Sequence, residues 1–228
     1  MKKISVLLSS VILVALVAIT NTASAQVTPG PSDATTPPPT TASAVGKVLC
    51  AGTPISISGP QDVGNVDFAA YQWYKLDGSG NKQLTNITTR TYTETPTTAG
   101  YYNYEVVTVN ASGCTSPISD PFQVYVLPPL TATITNTAGT ICAGVGTTIL
   151  TANPTPATGY VLNYQWTRAG VNIAGATTNS YTVSAEATPG TVTFGVNITY
   201  ALSPTCSGSA TQDIIIAPIP TKPAITAN

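Results

Sequence analysis

The chain has 228 residues, of which only 7% are charged, with a formal net charge of −1 and no histidine. So few charges exclude the basic patch that binding of nucleic acid or of an anionic lipid surface requires. The lack of histidine removes the usual base of a nucleophilic active site and the usual nitrogen ligand of zinc.

The first residues have the three parts of a secretory signal peptide. Lys2 and Lys3 form the charged start, residues 6–19 form an apolar run, and Ala23-Ser24-Ala25 forms a small-residue cleavage site. The apolar run is too short to span a bilayer comfortably, which favours a cleaved signal over a membrane anchor. We therefore expect cleavage after Ala25 and a mature protein that is secreted or held at the cell surface, with no membrane span.

A segment rich in Pro, Thr, Ser and Ala follows the cleavage site and includes Pro37-Pro38-Pro39. Such a composition cannot build a core, so residues 26–44 are predicted to form an extended, semi-stiff linker. Beyond residue 44 the chain is rich in Thr, Val, Ile and Tyr, and no apolar run has helical spacing. This composition predicts an all-β fold.

One unit of the sequence occurs twice. The tripeptide Tyr71-Gln72-Trp73 returns as Tyr164-Gln165-Trp166, each time between two cysteines. A repeat of roughly ninety residues is longer than the repeats of solenoid proteins and has the size of one small domain. We predict two tandem domains, residues 45–127 and residues 128–217.

Apolar and polar residues alternate along the predicted strands of the first domain. These strands are residues 55–58, residues 70–76 with Trp73, residues 90–94, residues 101–109 and residues 122–126. The second domain repeats the order with its own set of strands. Its strands are residues 149–150, 164–167, 181–183, 191–198 and 214–216.

The order of these motifs resembles the immunoglobulin-like and PKD-like repeats of secreted surface proteins of the Bacteroidetes type. Each unit has Cys-Ala-Gly, an alternating strand, Tyr-Gln-Trp, a Tyr-Thr strand and a second cysteine. Residues 99–102 and 110–114 of the first domain match the pattern closely, whereas residues 189–192 and 203–206 of the second domain depart from it. The resemblance implies two tandem immunoglobulin-like antiparallel β-sandwiches in a stalk or adhesive module, with no catalytic residues.

A lone Trp on an apolar strand is what such a sandwich needs at its centre. Trp73 and Trp166 are therefore predicted core residues. Tyr104 and Phe194 are predicted to fill the facing side of each core.

Four cysteines in an exported chain without a CxxC spacing predict two disulfides rather than a metal site. Cys50 and Cys114 are separated by as many residues as Cys142 and Cys206. We predict the pairs Cys50–Cys114 and Cys142–Cys206 over a crossed pairing, because each domain then closes its own loop.

The carboxylates are scattered and most lie in predicted turns, so ordinary solvated side chains are favoured over a catalytic pair. Residues 62–67 and 77–81 offer oxygens that could hold calcium, but neither has the full EF-hand spacing, and turn chemistry is favoured. We predict a protein that is not an enzyme and that has no metal site and no cofactor.

The expected function is that of an exported structural or adhesive protein: a surface stalk, an adhesin or a filament component. Its expected partners are other copies of itself, further repeats of the same chain, or a surface glycan or protein. The alternative is a carbohydrate-binding accessory module of a larger secreted enzyme. Tyr101 and Tyr125 are the candidate binding residues for it, because alternation places them on the outward face of the sheet.

Residues 218–228 resemble residues 128–136, which open the second domain, but no Cys-Ala-Gly follows them. This similarity predicts the start of a further repeat in a longer array. The alternative is a strand that adds to the sheet edge of another copy.

Overall fold

The structure is a computed structural model that describes residues 30–156, 158–184 and 186–226. Over these residues it contains fifteen β-strands and one short 3₁₀ helix, Ala42–Ala44, and the predicted all-β class is confirmed. The predicted signal peptide, residues 1–25, lies outside the described residues. In the described part of the chain, no helix has the length and apolarity that crossing a bilayer requires.

The first domain consists of two sheets. Its strands are β1 Lys47–Cys50, β2 Ile55–Ser58, β3 Ala70–Leu76, β4 Lys82–Leu84, β5 Thr91–Glu94, β6 Gly100–Val109 and β7 Phe122–Leu127. The larger sheet has the order β1-β7-β6-β3-β4, and the smaller sheet pairs β2 with β5.

The second domain repeats this arrangement and adds one strand to its smaller sheet. Its strands are β8 Thr131–Asn136, β9 Thr140–Cys142, β10 Thr148–Thr155, β11 Leu162–Arg168, β12 Val171–Asn172, β13 Ser180–Val183, β14 Gly190–Tyr200 and β15 Ser203–Ala217. The larger sheet has the order β12-β11-β14-β15-β9, and the smaller sheet has the order β13-β10-β8.

Both larger sheets end in a parallel pair. β1 runs parallel to β7, with Cys50 level with Leu127, and β9 runs parallel to β15, with Cys142 level with Ala217. Two packed sheets with a buried Trp on a central strand form an immunoglobulin-like sandwich. The predicted fold, two tandem immunoglobulin-like β-sandwiches, is therefore the fold of this protein.

Three aromatic rings fill the centre of the first domain. Trp73 and Tyr104 are 3% and 1% exposed. The ring of Tyr92, on the opposite sheet, lies 5.7 Å from the ring of Trp73 and 5.0 Å from the ring of Tyr104. The indole Nε1 of Trp73 donates a hydrogen bond of 3.0 Å to the carbonyl oxygen of Thr89. Burial therefore leaves no polar atom of this Trp without a partner.

The second domain has the same arrangement of rings. Tyr181 lies 6.0 Å from both Trp166 and Phe194, and the latter two are buried. The indole Nε1 of Trp166 donates a hydrogen bond of 2.9 Å to the carbonyl oxygen of Thr178. The repeat in the sequence is therefore a repeat of one core.

Two residues of the predicted linker, Ser32 and Asp33, pair with the first domain. The amide of Ser32 donates to the carbonyl oxygen of Tyr101 at 2.7 Å, and the amide of Tyr101 donates to the carbonyl oxygen of Asp33 at 2.7 Å. The hydroxyl of Ser32 donates to the carbonyl oxygen of Leu76, the last residue of β3. The segment therefore pairs with the start of β6 where β3 has ended, because buried backbone groups there need partners.

Candidate functional site

One disulfide bond joins the two domains. Cys50, the last residue of β1, is bonded to Cys206 in β15, with a Cα–Cα distance of 5.4 Å. The usual range of this distance is about 4.4–6.8 Å. Cys206 is buried and Cys50 is half-buried, so the bond lies within the contact between the domains.

The predicted pairs Cys50–Cys114 and Cys142–Cys206 are not formed, and Cys114 and Cys142 are exposed free cysteines. The reason is the direction of β1. Because β1 runs parallel to β7, Cys50 lies level with Leu127, at the end of the sheet where β6 begins.

Cys114 follows the other end of β6, a strand of ten residues. Such a strand is about 30 Å long, several times the separation that a disulfide allows. The same argument separates Cys142, level with Ala217 at the end of β15, from Cys206 near its start. The structure has one disulfide that crosses between the domains, where the sequence predicted two within them.

The connection between the domains is short and packs against the hairpin that carries Cys206. The hydroxyl of Tyr200 donates a hydrogen bond of 3.1 Å to the carbonyl oxygen of Pro128. Gly208 lies so close to Leu130 that a Cβ atom at position 208 would be 2.5 Å from the carbonyl oxygen of Leu130. The β14–β15 hairpin therefore folds against the segment that connects the two domains. We call this region the domain junction: Cys50, residues 128–130, Tyr200 and residues 205–208.

Tyr101 and Tyr125, the candidate sugar-binding residues, are 8% and 3% exposed and belong to the same apolar cluster as the core of the second domain. Their rings are 4.7 Å apart. The hydroxyl of Tyr101 donates to the carbonyl oxygen of Pro37 at 2.9 Å, and the hydroxyl of Tyr125 lies 3.2 Å from that of Tyr160. The segment before β1 and the second domain cover this face, so the two rings form no open platform for a sugar.

Burial changes the acidity of Tyr200, in the domain junction, and of Tyr125 beside it. It raises the pKa of Tyr200 to about 12, with a smaller contribution from the nearby Tyr160 hydroxyl. Burial also raises the pKa of Tyr125, and the hydrogen bond with Tyr160 raises it further. Both hydroxyls are therefore protonated at neutral pH and act as hydrogen-bonding groups.

A buried ion pair connects the two sheets of the first domain. The ammonium of Lys75 on β3 lies 2.8 Å from a carboxylate oxygen of Glu94 on β5, and the Lys75 side chain is 4% exposed. Glu94 also accepts a 2.5 Å hydrogen bond from the hydroxyl of Tyr92. These groups line a cleft of about 320 Å³ together with Tyr102, whose ring centroid lies 5.0 Å from the Lys75 nitrogen. The two charges compensate each other, so this arrangement holds the sheets together.

The second domain has a corresponding pair, which sequence reasoning missed in both domains. Arg168 Nη2 lies 2.8 Å from a carboxylate oxygen of Glu186. Arg168 follows Trp166 by two residues, as Lys75 follows Trp73. The signal was a basic residue in phase with the buried positions of an apolar strand, repeated in both units.

Among the described residues, no group of three or more His, Cys, Asp and Glu side chains has the arrangement of a metal site. Asp77 in the segment 77–81 accepts hydrogen bonds from the amides of Ser79 and Asn81, both at 2.9 Å. These bonds, the one from Asn81 first, lower the pKa of Asp77. They are the interactions of an Asx turn.

Comparison with solved structures identifies similar chains. The T cell receptor of a marsupial is similar with a TM-score of 0.55 and 11% identity, over 78% of this chain and 72% of that chain. The fibronectin(III)-like modules of CbhA from Clostridium thermocellum give a TM-score of 0.39 and 15% identity, over 81% of this chain and 96% of that chain.

The N-terminal four Ig domains of Dscam1 isoform 8.4 give a TM-score of 0.37 and 16% identity, over 75% of this chain and 43% of that chain. No protein-family model and no curated protein sequence matches this chain. At 11% identity, the likeness to the T cell receptor shows the fold alone.

Proposed function

We propose that this protein is a non-enzymatic, exported structural module that acts as a stalk or filament component at the cell surface. The observation that carries the proposal is the domain junction, where a disulfide and a shared apolar cluster fix the two sandwiches to each other. A fixed junction is what a spacer that must keep its length requires. A disulfide is also a bond of oxidising compartments, which supports export.

The position of the disulfide gives the module resistance to tension. Cys50 and Cys206 are 156 residues apart, so the bond encloses most of both sandwiches in one covalent ring. A pull on the two ends of the mature chain passes through the disulfide and bypasses the residues inside the ring. The strands between Cys50 and Cys206 therefore add no length to the stalk, even when they unfold.

Single-molecule pulling of residues 26–228 tests this function. With the disulfide intact, we expect only the residues outside the ring to extend. After reduction, the contour length should increase by about 500 Å, because 156 residues are released. The Cys50→Ser variant should give the long extension without reductant, and the Cys114→Ser variant is the matched control that keeps the short extension. Equal extension of the oxidised and reduced protein would overturn the proposal.

The carbohydrate-binding alternative has less support. Its candidate residues, Tyr101 and Tyr125, are buried beside the domain junction. We propose instead that the partners of this module are other protein modules, including copies of the same chain.

A further inference from the structure

The four cysteines occupy two structural positions, each present once per domain. Cys50 and Cys142 end the parallel strand, and in both cases the next amide, of Ala51 or Ala143, donates to the last residue of the neighbouring strand at 3.0 Å or 2.9 Å. We call this position the strand-end cysteine.

Cys114 and Cys206 occupy the second position. Each directly precedes a residue that pairs near the end of the long central strand, since Val109 pairs with Thr115 and Thr199 pairs with Ser207. We call this position the hairpin cysteine.

The disulfide joins positions of different kinds in successive domains. It connects the strand-end cysteine of the first domain, Cys50, to the hairpin cysteine of the second, Cys206. This staggered pairing leaves one cysteine of each kind, Cys114 and Cys142, and both are exposed. The two lie at opposite tips of the molecule, because in each domain the free cysteine is at the end far from the domain junction. They cannot reach each other within one molecule.

Both tips also expose apolar side chains next to the free cysteine. Val145, whose amide donates to the carbonyl oxygen of Cys142, is 71% exposed, and Ile219, just beyond the strand that pairs with Cys142, is 56% exposed. Ile118, in the segment after Cys114, is 40% exposed. In the domain junction, by contrast, Leu130 is buried. Both tips therefore carry exposed apolar side chains that a second copy could cover.

We propose that Cys142 of one copy forms a disulfide with Cys114 of a second copy and so repeats the domain junction between molecules. The proposal rests on the proposed function, because an exported structural protein meets the oxidising conditions that the bond needs. The contact is heterologous, so it leaves one free cysteine at each end of every dimer and extends into a chain of copies.

The bond forms by thiol–disulfide exchange with a small disulfide such as oxidised glutathione. The deprotonated thiol of Cys142 attacks that disulfide, and one glutathione thiolate leaves. The thiolate of Cys114 from the second copy then attacks the Cys142 sulfur, and the second glutathione thiolate leaves. Two cysteine thiols are oxidised, two glutathione thiols are produced, and the two protons pass to solvent or to the released thiolates.

The test uses residues 26–228, incubated in a glutathione redox buffer and separated on a non-reducing gel. We expect the wild type to give a ladder of multiples of the monomer mass, and peptide mapping to find Cys142 linked to Cys114. The Cys114→Ser and Cys142→Ser variants should each stay monomeric. A mixture of the two variants should give a dimer and nothing larger, because only one complementary pair of thiols remains.

Two results would overturn the proposal. The first is a wild type that stays monomeric in the redox buffer. The second is dimerisation of either single variant alone to the same extent as the mixture, which would indicate random pairing of exposed thiols. The same peptide map separates this failure from failure of the proposed function. A monomer in which Cys50 is linked to Cys206 would refute the linkage between copies and leave the proposed function standing. Linkage of Cys50 to Cys114 would refute both the linkage between copies and the proposed function.

Discussion

Gly208, in the domain junction, has no room for a side chain. A Cβ atom at this position would be 2.5 Å from the carbonyl oxygen of Leu130, which belongs to the backbone and cannot turn away. Gly208→Ala should therefore lower the free energy of unfolding by about 1–3 kcal/mol. The matched control is Gly139→Ala, where nothing lies within 4 Å of the added atom. Its effect in denaturant unfolding should stay within about 0.5 kcal/mol, and equal effects of both would contradict the close contact.

The hydroxyl of Tyr104 is buried, and no group among the described residues makes a hydrogen bond of good geometry with it, although burial, helped by the nearby Glu94 carboxylate, raises its pKa. The equivalent residue of the second domain is Phe194. Removal of an unpaired polar group from a core is favourable, so Tyr104→Phe should raise the free energy of unfolding by up to about 1 kcal/mol. Tyr92→Phe is the comparison, because the Tyr92 hydroxyl donates to Glu94. It should lower the free energy of unfolding by about 1–3 kcal/mol. A loss of stability in Tyr104→Phe would contradict the absence of a partner.

At the scale of elements, the two ion pairs differ in burial and therefore in their expected effect. Lys75 and Glu94 connect β3 to β5 with side chains that are 4% and 20% exposed, whereas Arg168 is 48% exposed. Glu94→Ala leaves a buried ammonium without its partner and should cost about 3–5 kcal/mol. Glu186→Ala removes a solvent-screened pair and should cost at most about 1 kcal/mol. Denaturant unfolding of both variants measures the difference, and equal losses would contradict it.

The strand pattern could be predicted from the sequence, but the direction of one strand could not. Alternation located the strands that carry Trp73 and Trp166, because inward residues repeat every second position. This alternation does not show whether residues 47–50 run parallel or antiparallel to the last strand. This direction decides which end of the sheet Cys50 occupies, and so it decides the disulfide.

At the scale of the whole molecule, the tyrosines beside the domain junction make its stability depend on alkaline pH. The pKa of Tyr200 rises from an ordinary value of 10.0 to about 12 in the folded protein. Between these values the unfolded chain loses the proton and the folded chain keeps it, so the stabilisation present below pH 10 is lost as the pH rises to 12. The thermal midpoint should fall over this range, and more steeply in the wild type than in Tyr200→Phe. Equal slopes would contradict the shift.

The sequence pattern could not predict the contacts between the domains. Tyr101 and Tyr125 do face outward from their own sheet, as alternation predicts, yet Tyr160 and the segment before β1 cover them. The covering residues are distant along the chain, and a period of two reports only which face a residue is on. The same holds for residues 30–44, whose Pro-rich composition predicts a linker, although the backbone of Ser32 and Asp33 pairs with Tyr101 at the start of β6.

The staggered disulfide also sets an order of events during biosynthesis. The chain is made from its N-terminus, so the first domain can fold before Cys206 has been synthesised. When the first domain has just been made, Cys50 and Cys114 are its only thiols. The folded sandwich holds them about 30 Å apart. The first domain therefore cannot form a disulfide by itself, and Cys50 remains a thiol. A disulfide at Cys50 forms only in a molecule whose second domain has also been made.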